Sequence, residues 1–272
     1  MIPKLIHLCW LSGDNFPADI QKCLDTWKIY LSDYEIWLWG KKPKDSISTS
    51  GLKIIEKNFD LNSVLWTKQA FEQRKYAFAA DYIRMYALYK YGGIYLDSDV
   101  IMYKSFNEVL QLPYFIGQEQ MGSIEPAIIG AEKGCCWIAD VLSYYDNRRF
   151  ILDDGSLDTR PLPSVCNDVL GSKYKFIRLH RLYRYESDDC TIFIHNKDFF
   201  NSRNRIEPIK TNKSFCSHAY AGSWMKPQTG AKARIRKMVP KWLLKLYLDV
   251  SHNLWNRAAE HLSEPKFYKE IR

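Results

Sequence analysis

The chain has 272 residues, 46% hydrophobic and 26% charged, a balance that suits one large α/β domain or two small ones and excludes a disordered chain. It contains no apolar run of about 18 residues, so no membrane-spanning helix is expected. The net charge of +8 is concentrated: residues 226–272 carry eleven Lys/Arg against four Asp/Glu, which leaves +1 for residues 1–225 and excludes a nucleic-acid-binding body.

Residues 2–11 read as a buried first strand that stops at Ser12-Gly13-Asp14. After Pro17, the residues Ile20, Leu24, Trp27 and Leu31 recur at helical spacing and predict a helix over 17–31. Residues 34–39 alternate as a second strand, and 40–51 form a polar loop. The strongest helical pattern covers 68–91, with Phe71, Phe78, Tyr82, Met85 and Tyr89 along it and Gly92-Gly93 as its stop. Residues 94–96 are a short strand that runs into Asp97-Ser98-Asp99, and 100–103 continue extended. Further strands are expected at 114–118, 127–130 and 191–195, and further helices at 137–145 and 165–170, separated by Pro161 and Pro163. Strands alternating with helices predict an α/β domain with a mainly parallel sheet. The expected division is a catalytic domain, 1–225, and a basic amphipathic helical tail, 226–272.

The seven cysteines (9, 23, 135, 136, 166, 190 and 216) contain no CxxC pair. Neither a zinc site nor a disulfide framework follows, and reduced thiols are expected. With no cleavable signal pattern after Met1-Ile2-Pro3-Lys4, the expected location is cytoplasmic, at most peripheral on the inner face of the membrane. Nine Trp and eighteen Tyr suit stacking against sugars or bases, although most such rings fill cores.

Asp97 and Asp99 would share one face if the strand continued through them. Two neighbouring carboxylates repel, and a hard divalent ion such as Mg²⁺ or Mn²⁺ removes that cost while a diphosphate completes its shell. A D-x-D alone is more often a solvated turn. Its context is more specific. Asp81 and Arg84 lie three apart on the preceding helix, so a single helix–turn–strand unit presents Asp81, Arg84, Asp97 and Asp99. The plain reading of Asp81 and Arg84 is a surface ion pair. The functional one is an Arg fork and a carboxylate that hold phosphate or sugar hydroxyls.

Ala79-Ala80-Asp81-Tyr82-Ile83-Arg84, followed by Gly92-Gly93-Ile94-Tyr95-Leu96-Asp97-Ser98-Asp99, resembles the A-x-D-x-x-R and G-G-x-Y-x-D-x-D signature of glycosyltransferase family 32. That family includes capsular polysaccharide sugar transferases and Golgi mannosyltransferases, and its donor site is similar to that of glucosylating bacterial toxins. Residues 2–10, Ile128-Ile129-Gly130-Ala131 and the segment from His218 to Ser223-Trp224 fit in the same order. The resemblance implies a GT-A type nucleotide-sugar-binding fold and retaining transfer of a hexose or N-acetylhexosamine. It also implies Mn²⁺ or Mg²⁺ as cofactor and a nucleotide-sugar donor, a UDP-sugar favoured. Leu8 and Trp10 would border the nucleotide, with Trp10 stacked on the base. Asp81 and Arg84 would hold the donor sugar, and Asp97 would contact ribose and metal, beside Ser98. Asp99 would be the principal metal ligand and His218 a late one, while Ser223 and Trp224 would contact the β-phosphate and leaving group. The sequence departs from the family at Glu125-Pro126-Ala127, where many relatives have Asn, and at Leu162-Pro163-Ser164; both bear on which sugar is carried. No nucleophile stands out, which favours a same-face mechanism over double displacement through Glu125 or Asp168.

In the tail, Ile235, Val239, Trp242, Leu246, Val250 and Leu254 recur at helical spacing beside Lys232, Arg234, Arg236, Lys237, Lys241 and Lys245. Residues 231–256 thus fit either an anionic membrane surface or packing on the body, in equal measure. The expected acceptor is a glycan, lipid-linked as in capsule or O-antigen assembly. Two rivals stand beside this reading. One is a nucleotide-sugar or carbohydrate-binding protein of the same fold without catalysis, which the intact Asp97, Asp99, Arg84 and His218 disfavour. The other is a metal-dependent nucleotidyl or phosphoryl transferase, which lacks its Gly-rich phosphate loop here.

Overall fold

The computed structural model describes residues 1–44, 49–119, 124–203, 207–220 and 267–272. The body opens with β1 (Leu5–Trp10), α1 (Ala18–Tyr30), β2 (Glu35–Gly40) and β3 (Ile54–Lys57). Next come α2 (Leu65–Glu72), α3 (Tyr76–Tyr91), β4 (Gly93–Leu96) and β5 (Val100–Met102). They are followed by β6 (Tyr114–Gln118), β7 (Ile124–Ala131), α4 (Cys136–Ser143) and α5 (Leu162–Gly171). The remaining elements are β8 (Lys175–Leu179), β9 (Thr191–His195), α6 (Lys197–Phe200), β10 (Cys216–His218) and β11 (Phe267–Ile271).

Nine strands form one sheet in the order β11-β8-β9-β6-β7-β4-β1-β2-β3, and β5 pairs antiparallel with β10 in a second, two-stranded one. In the large sheet β7 alone runs against its neighbours, β4 and β6, and every other pairing is parallel. The expected α/β architecture with a mainly parallel sheet is therefore present. β1, β2, β4, β6 and β7 bury Ile6, Leu8, Ile36, Leu38, Ile94, Leu96, Phe115, Ile128 and Ile129 in one core. A sheet covered on both faces requires such near-continuous apolar strands.

The expected long helix over 68–91 is two helices. Arg74 sits at φ 54, and the Lys75 amide turns back to the Ala70 carbonyl. Gln73-Arg74-Lys75 has no apolar side chain to bury, while the heptad step from Phe71 to Phe78 carries the apolar rhythm across the break. Tyr89, expected on the buried face, is 40% exposed; Ala79, Ile83, Met85, Ala87 and Leu88 take that face. The strands β3, β8, β10 and β11 add to the sequence expectation. β11 lies parallel to β8, so residues 267–271 belong to the sheet built by the body.

The junction between α3 and β4 positions everything that follows. Gly92 (φ 67) and Gly93 (φ 109) turn the chain within two residues, and a Cβ at Gly93 would stand 2.6 Å from the Leu5 carbonyl oxygen. Only glycine lets β4 lie this close to β1. Buried His7 braces the turn, with Nε2 2.8 Å from the Gly92 carbonyl while Nδ1 accepts from Trp39 Nε1 at 3.2 Å. Burial drives the His7 pKa down to about 4, so the ring is neutral in that role. All seven cysteines are free, and among the described residues no helix is long and apolar enough to cross a membrane.

Candidate active site

Parallel β1 and β4 end on the same edge of the sheet, which brings Trp10 and Asp97 to one side of the molecule. Ligands in open α/β sheets sit beyond such carboxyl ends. The strand itself stops at Leu96. Asp97-Ser98-Asp99 is a turn closed by the Val100 amide on the Asp97 carbonyl at 3.1 Å, not an extended run with both carboxylates on one strand face. The turn is held from two sides: the Asp97 amide donates to the Ala127 carbonyl, and the Ala219 amide to the Asp99 carbonyl, both at 2.9 Å.

This anchoring converges three ligand groups. One ligand atom each from Asp97, Asp99 and His218 lies within 4.8 Å of the others. His218 Nε2 is 3.2 Å from Asp99 Oδ1 and 3.9 Å from Asp97 Oδ2. His218 ends β10, whose antiparallel pairing with β5 sets it opposite Val100, next to the acidic turn.

On the other side of Asp97, Arg84 is 6% exposed, and both of its terminal nitrogens are engaged. Its Nη2 is 3.0 Å from Asp81 Oδ1 and 3.3 Å from Asp97 Oδ1, and Nη1 donates to the Pro126 carbonyl at 2.9 Å. The guanidinium lies over the Tyr95 ring at 4.5 Å, and the Tyr95 hydroxyl donates to Asp97 at 2.7 Å. Asp81 and Arg84 are therefore a buried pair tied to the acidic turn, not a surface ion pair. Burial raises the Asp81 pKa to about 7 despite Arg84, and burial likewise raises that of Asp97. Burial opposes charge on His218 as well, yet Glu125 and Asp99 outweigh it and push its pKa well above the usual histidine range.

The donor set fits a divalent ion. Two carboxylates and an imidazole suit Mn²⁺ or Mg²⁺, the imidazole favouring the former. The charge count agrees. With His218 as a neutral ligand, the largely buried carboxylates of Asp81, Asp97, Asp99 and Glu125 face the guanidinium groups of Arg84 and Arg203. The acidic groups outnumber the guanidinium groups there, so a bound cation would lower their mutual repulsion.

Trp10 is half-buried at the end of β1; its Nε1 donates to the Asp14 carbonyl at 2.7 Å and its ring rests 4.6 Å from that of Phe16. Ser98 is partly exposed in the turn. Leu8 is 0% exposed within the main core, so its side chain borders no nucleotide; it shares a strand face with Trp10, which lies two residues on at the strand end and is only half-buried. Ser223, Trp224 and the segment 231–256 lie outside the described residues. Neither carboxylate considered as a nucleophile is free: Asp168 pairs with Arg160 and is half-exposed, and both oxygens of Glu125 are engaged by neighbours. Tyr95, the tyrosine of the G-G-x-Y-x-D-x-D signature, also belongs to the site, as do Asn201, Arg203 and Tyr220, which carry no motif that could have named them.

Residues 17–116 match the family model described as a glycosyltransferase sugar-binding region containing the DXD motif. Over those residues the chain is similar to that family's sugar-binding region. The chain is 26% identical over 145 residues to an inositol phosphoceramide mannosyltransferase of Schizosaccharomyces pombe, covering 52% of this chain and 36% of that protein. To the mannosyl phosphorylinositol ceramide synthase SUR1 of Saccharomyces cerevisiae it is 28% identical over 165 residues, covering 56% and 37%. The chain thus spans little more than a third of these two relatives. Among solved structures it is similar to the PaToxG glycosyltransferase, with a TM-score of 0.47 and 22% identity over 63% of this chain and 68% of that one. The family match contains Asp81, Arg84, Asp97 and Asp99. Trp10, Glu125 and His218 lie outside it and enter through the geometry.

Proposed function

We propose that this chain is a retaining, metal-dependent glycosyltransferase that moves a hexose or N-acetylhexosamine from a nucleotide sugar to a glycan acceptor. The convergence of Asp97, Asp99 and His218 beside the Asp81–Arg84 pair carries this reading. A bound Mn²⁺ or Mg²⁺ would supply a Lewis acid for the negative charge that develops on the departing nucleotide diphosphate. Asp97, Asp99 and His218 would hold it. Arg84 fixes Asp81 and Asp97 and keeps water out of the gap between them. Asp81 offers its second oxygen to donor hydroxyls. With Glu125 and Asp168 both occupied, attack of the acceptor from the leaving-group face is the route that the site leaves open.

The donor panel that tests this includes UDP-hexoses, UDP-N-acetylhexosamines and, because the relatives are named for mannose transfer, a mannose donor. Metal-dependent release of nucleotide from one member, with the anomeric configuration kept in the product, is expected. Silence across the panel with metal present would count against the reading. Trp10→Ala should weaken nucleotide binding by about 1–3 kcal/mol, the usual worth of a base–aromatic stack. An unchanged dissociation constant in a calorimetric titration returns Trp10 to packing against Phe16.

The acceptor is proposed to be lipid-linked, as a surface polysaccharide intermediate of capsule or O-antigen type. The basic segment 231–256 would bring the enzyme to an anionic inner membrane face, each Lys or Arg contributing about 1 kcal/mol. Sedimentation with anionic vesicles should show binding that weakens with salt. Charge-neutral replacements at Lys232, Arg234, Arg236 and Lys237 serve better than deleting the tail, because Phe267–Ile271 completes the sheet.

A further inference from the structure

Glu125 is 3% exposed, more deeply placed than any of the three metal ligands, and its side-chain contacts converge on His218. Its Oε1 accepts from the Ala127 amide at 3.2 Å and lies 3.4 Å from His218 Nδ1. Its Oε2 accepts from Asn201 Nδ2 at 2.6 Å and from the Tyr220 hydroxyl at 2.7 Å. These two donors also grip the histidine directly. Asn201 Oδ1 accepts the His218 amide at 3.3 Å, and the Tyr220 ring stacks on the imidazole with centroids 4.0 Å apart and planes at 27°. Tyr220 does this from φ 54, a left-handed conformation that a tyrosine rarely takes and that the surrounding contacts must hold.

The imidazole thus has a carboxylate oxygen 3.4 Å from one edge and a ring on one face, and an amide holds its backbone. Its Nε2 edge is left turned to Asp99 and Asp97. A carboxylate behind one imidazole nitrogen sets the tautomer and aims the other nitrogen at a metal. We propose that Glu125, held by Asn201 and Tyr220, is a positioning residue that sets His218 for metal binding. This inference rests on the metal reading of the site. It gives Glu125 a role that does not involve the sugar.

The test is titration of Mn²⁺ into the full chain, followed by loss of the free-ion electron paramagnetic resonance signal. If the wild-type chain binds no Mn²⁺, the metal reading falls and this inference falls with it. If it binds, Glu125→Gln should weaken the affinity about 10- to 100-fold, while the melting temperature without metal stays close to wild type. In a His218→Ala background, Glu125→Gln should change the affinity less than about twofold, because the effect travels through the ring. An unchanged affinity in the single variant, or equal losses in both backgrounds, overturns the inference and leaves the metal reading standing. Should Glu125→Gln fail to fold, Tyr220→Phe carries the test, since it removes one donor to Oε2 and keeps the stacked ring. A loss of about threefold or more supports the inference, and wild-type affinity overturns it.

Discussion

The substitution Asp99→Asn is expected to lower sugar transfer at least about 10³-fold, since several kcal/mol of charge stabilisation would be lost at tenfold per ~1.36 kcal/mol. The amide side chain would keep the volume and the turn, whose closing bond uses the Asp97 carbonyl and whose tie to Ala219 uses the backbone carbonyl at position 99. The fold should therefore survive. Without metal the variant should melt close to wild type, because relief of the repulsion with Asp97 offsets the lost contact to His218 at 3.2 Å. The two proteins should separate when Mn²⁺ is added. A ligand at a hundred times its dissociation constant stabilises the folded state by about 2.7 kcal/mol, or a few degrees in a chain of this size. Wild type should show that rise in differential scanning fluorimetry and the variant should not, and a chelator should erase the difference. A variant that keeps both its activity and its Mn²⁺-induced rise would remove Asp99 from the metal site.

The parts of this site that share a short stretch of chain are visible in the sequence. Asp81, Arg84, the Gly92-Gly93 stop and the two aspartates fall within 19 residues, and local rules for helix faces and caps are enough to group them. The break at Arg74 is not visible there, because an apolar heptad step runs across it and only the backbone reveals the left-handed residue. Nor are β8 and β11, whose Lys-Phe-Ile-Arg-Leu and Phe-Tyr-Lys-Glu-Ile lack the clean alternation of a half-buried strand. β10 is three residues long, too short for any pattern, yet it carries His218 to the acidic turn. By sequence alone, Glu125 bears on sugar choice. Its pairing with Asn201, His218 and Tyr220 bridges 76 to 95 residues and depends wholly on tertiary packing. Local reasoning misplaces Leu8, where being near a strand end is not the same as facing the cleft, and Tyr89, which lies on the exposed side of its helix.

Removal of Arg84 is the substitution that should damage both stability and activity most. Its guanidinium is the cation between Asp81 and Asp97 within hydrogen-bonding reach of both, and taking it away strands two carboxylates that burial already penalises. Breaking a buried pair in this way typically costs about 3–5 kcal/mol. Arg84→Ala should show that loss in denaturant unfolding, together with loss of transfer. Arg84→Lys should recover part of the stability and little of the rate, since one ammonium cannot replace a fork that reaches Asp81, Asp97 and the Pro126 carbonyl at once. The pH dependence follows from Asp81. Its folded pKa, about 7, lies above the unfolded value of 3.8, so the folded state holds the proton more tightly. Its contribution favours folding at low pH, and it is lost as pH rises from about 4 through about 7. Without Arg84 the carboxyl loses the cation that opposes this shift, so the destabilisation should be larger at pH 8 than at pH 5. Adding Asp81→Asn to Arg84→Ala removes the stranded charge and should restore stability at pH 8 while transfer stays lost. If Arg84→Ala unfolds with wild-type stability at pH 8, or if the second substitution brings no recovery, the buried charge balance described for this site is wrong.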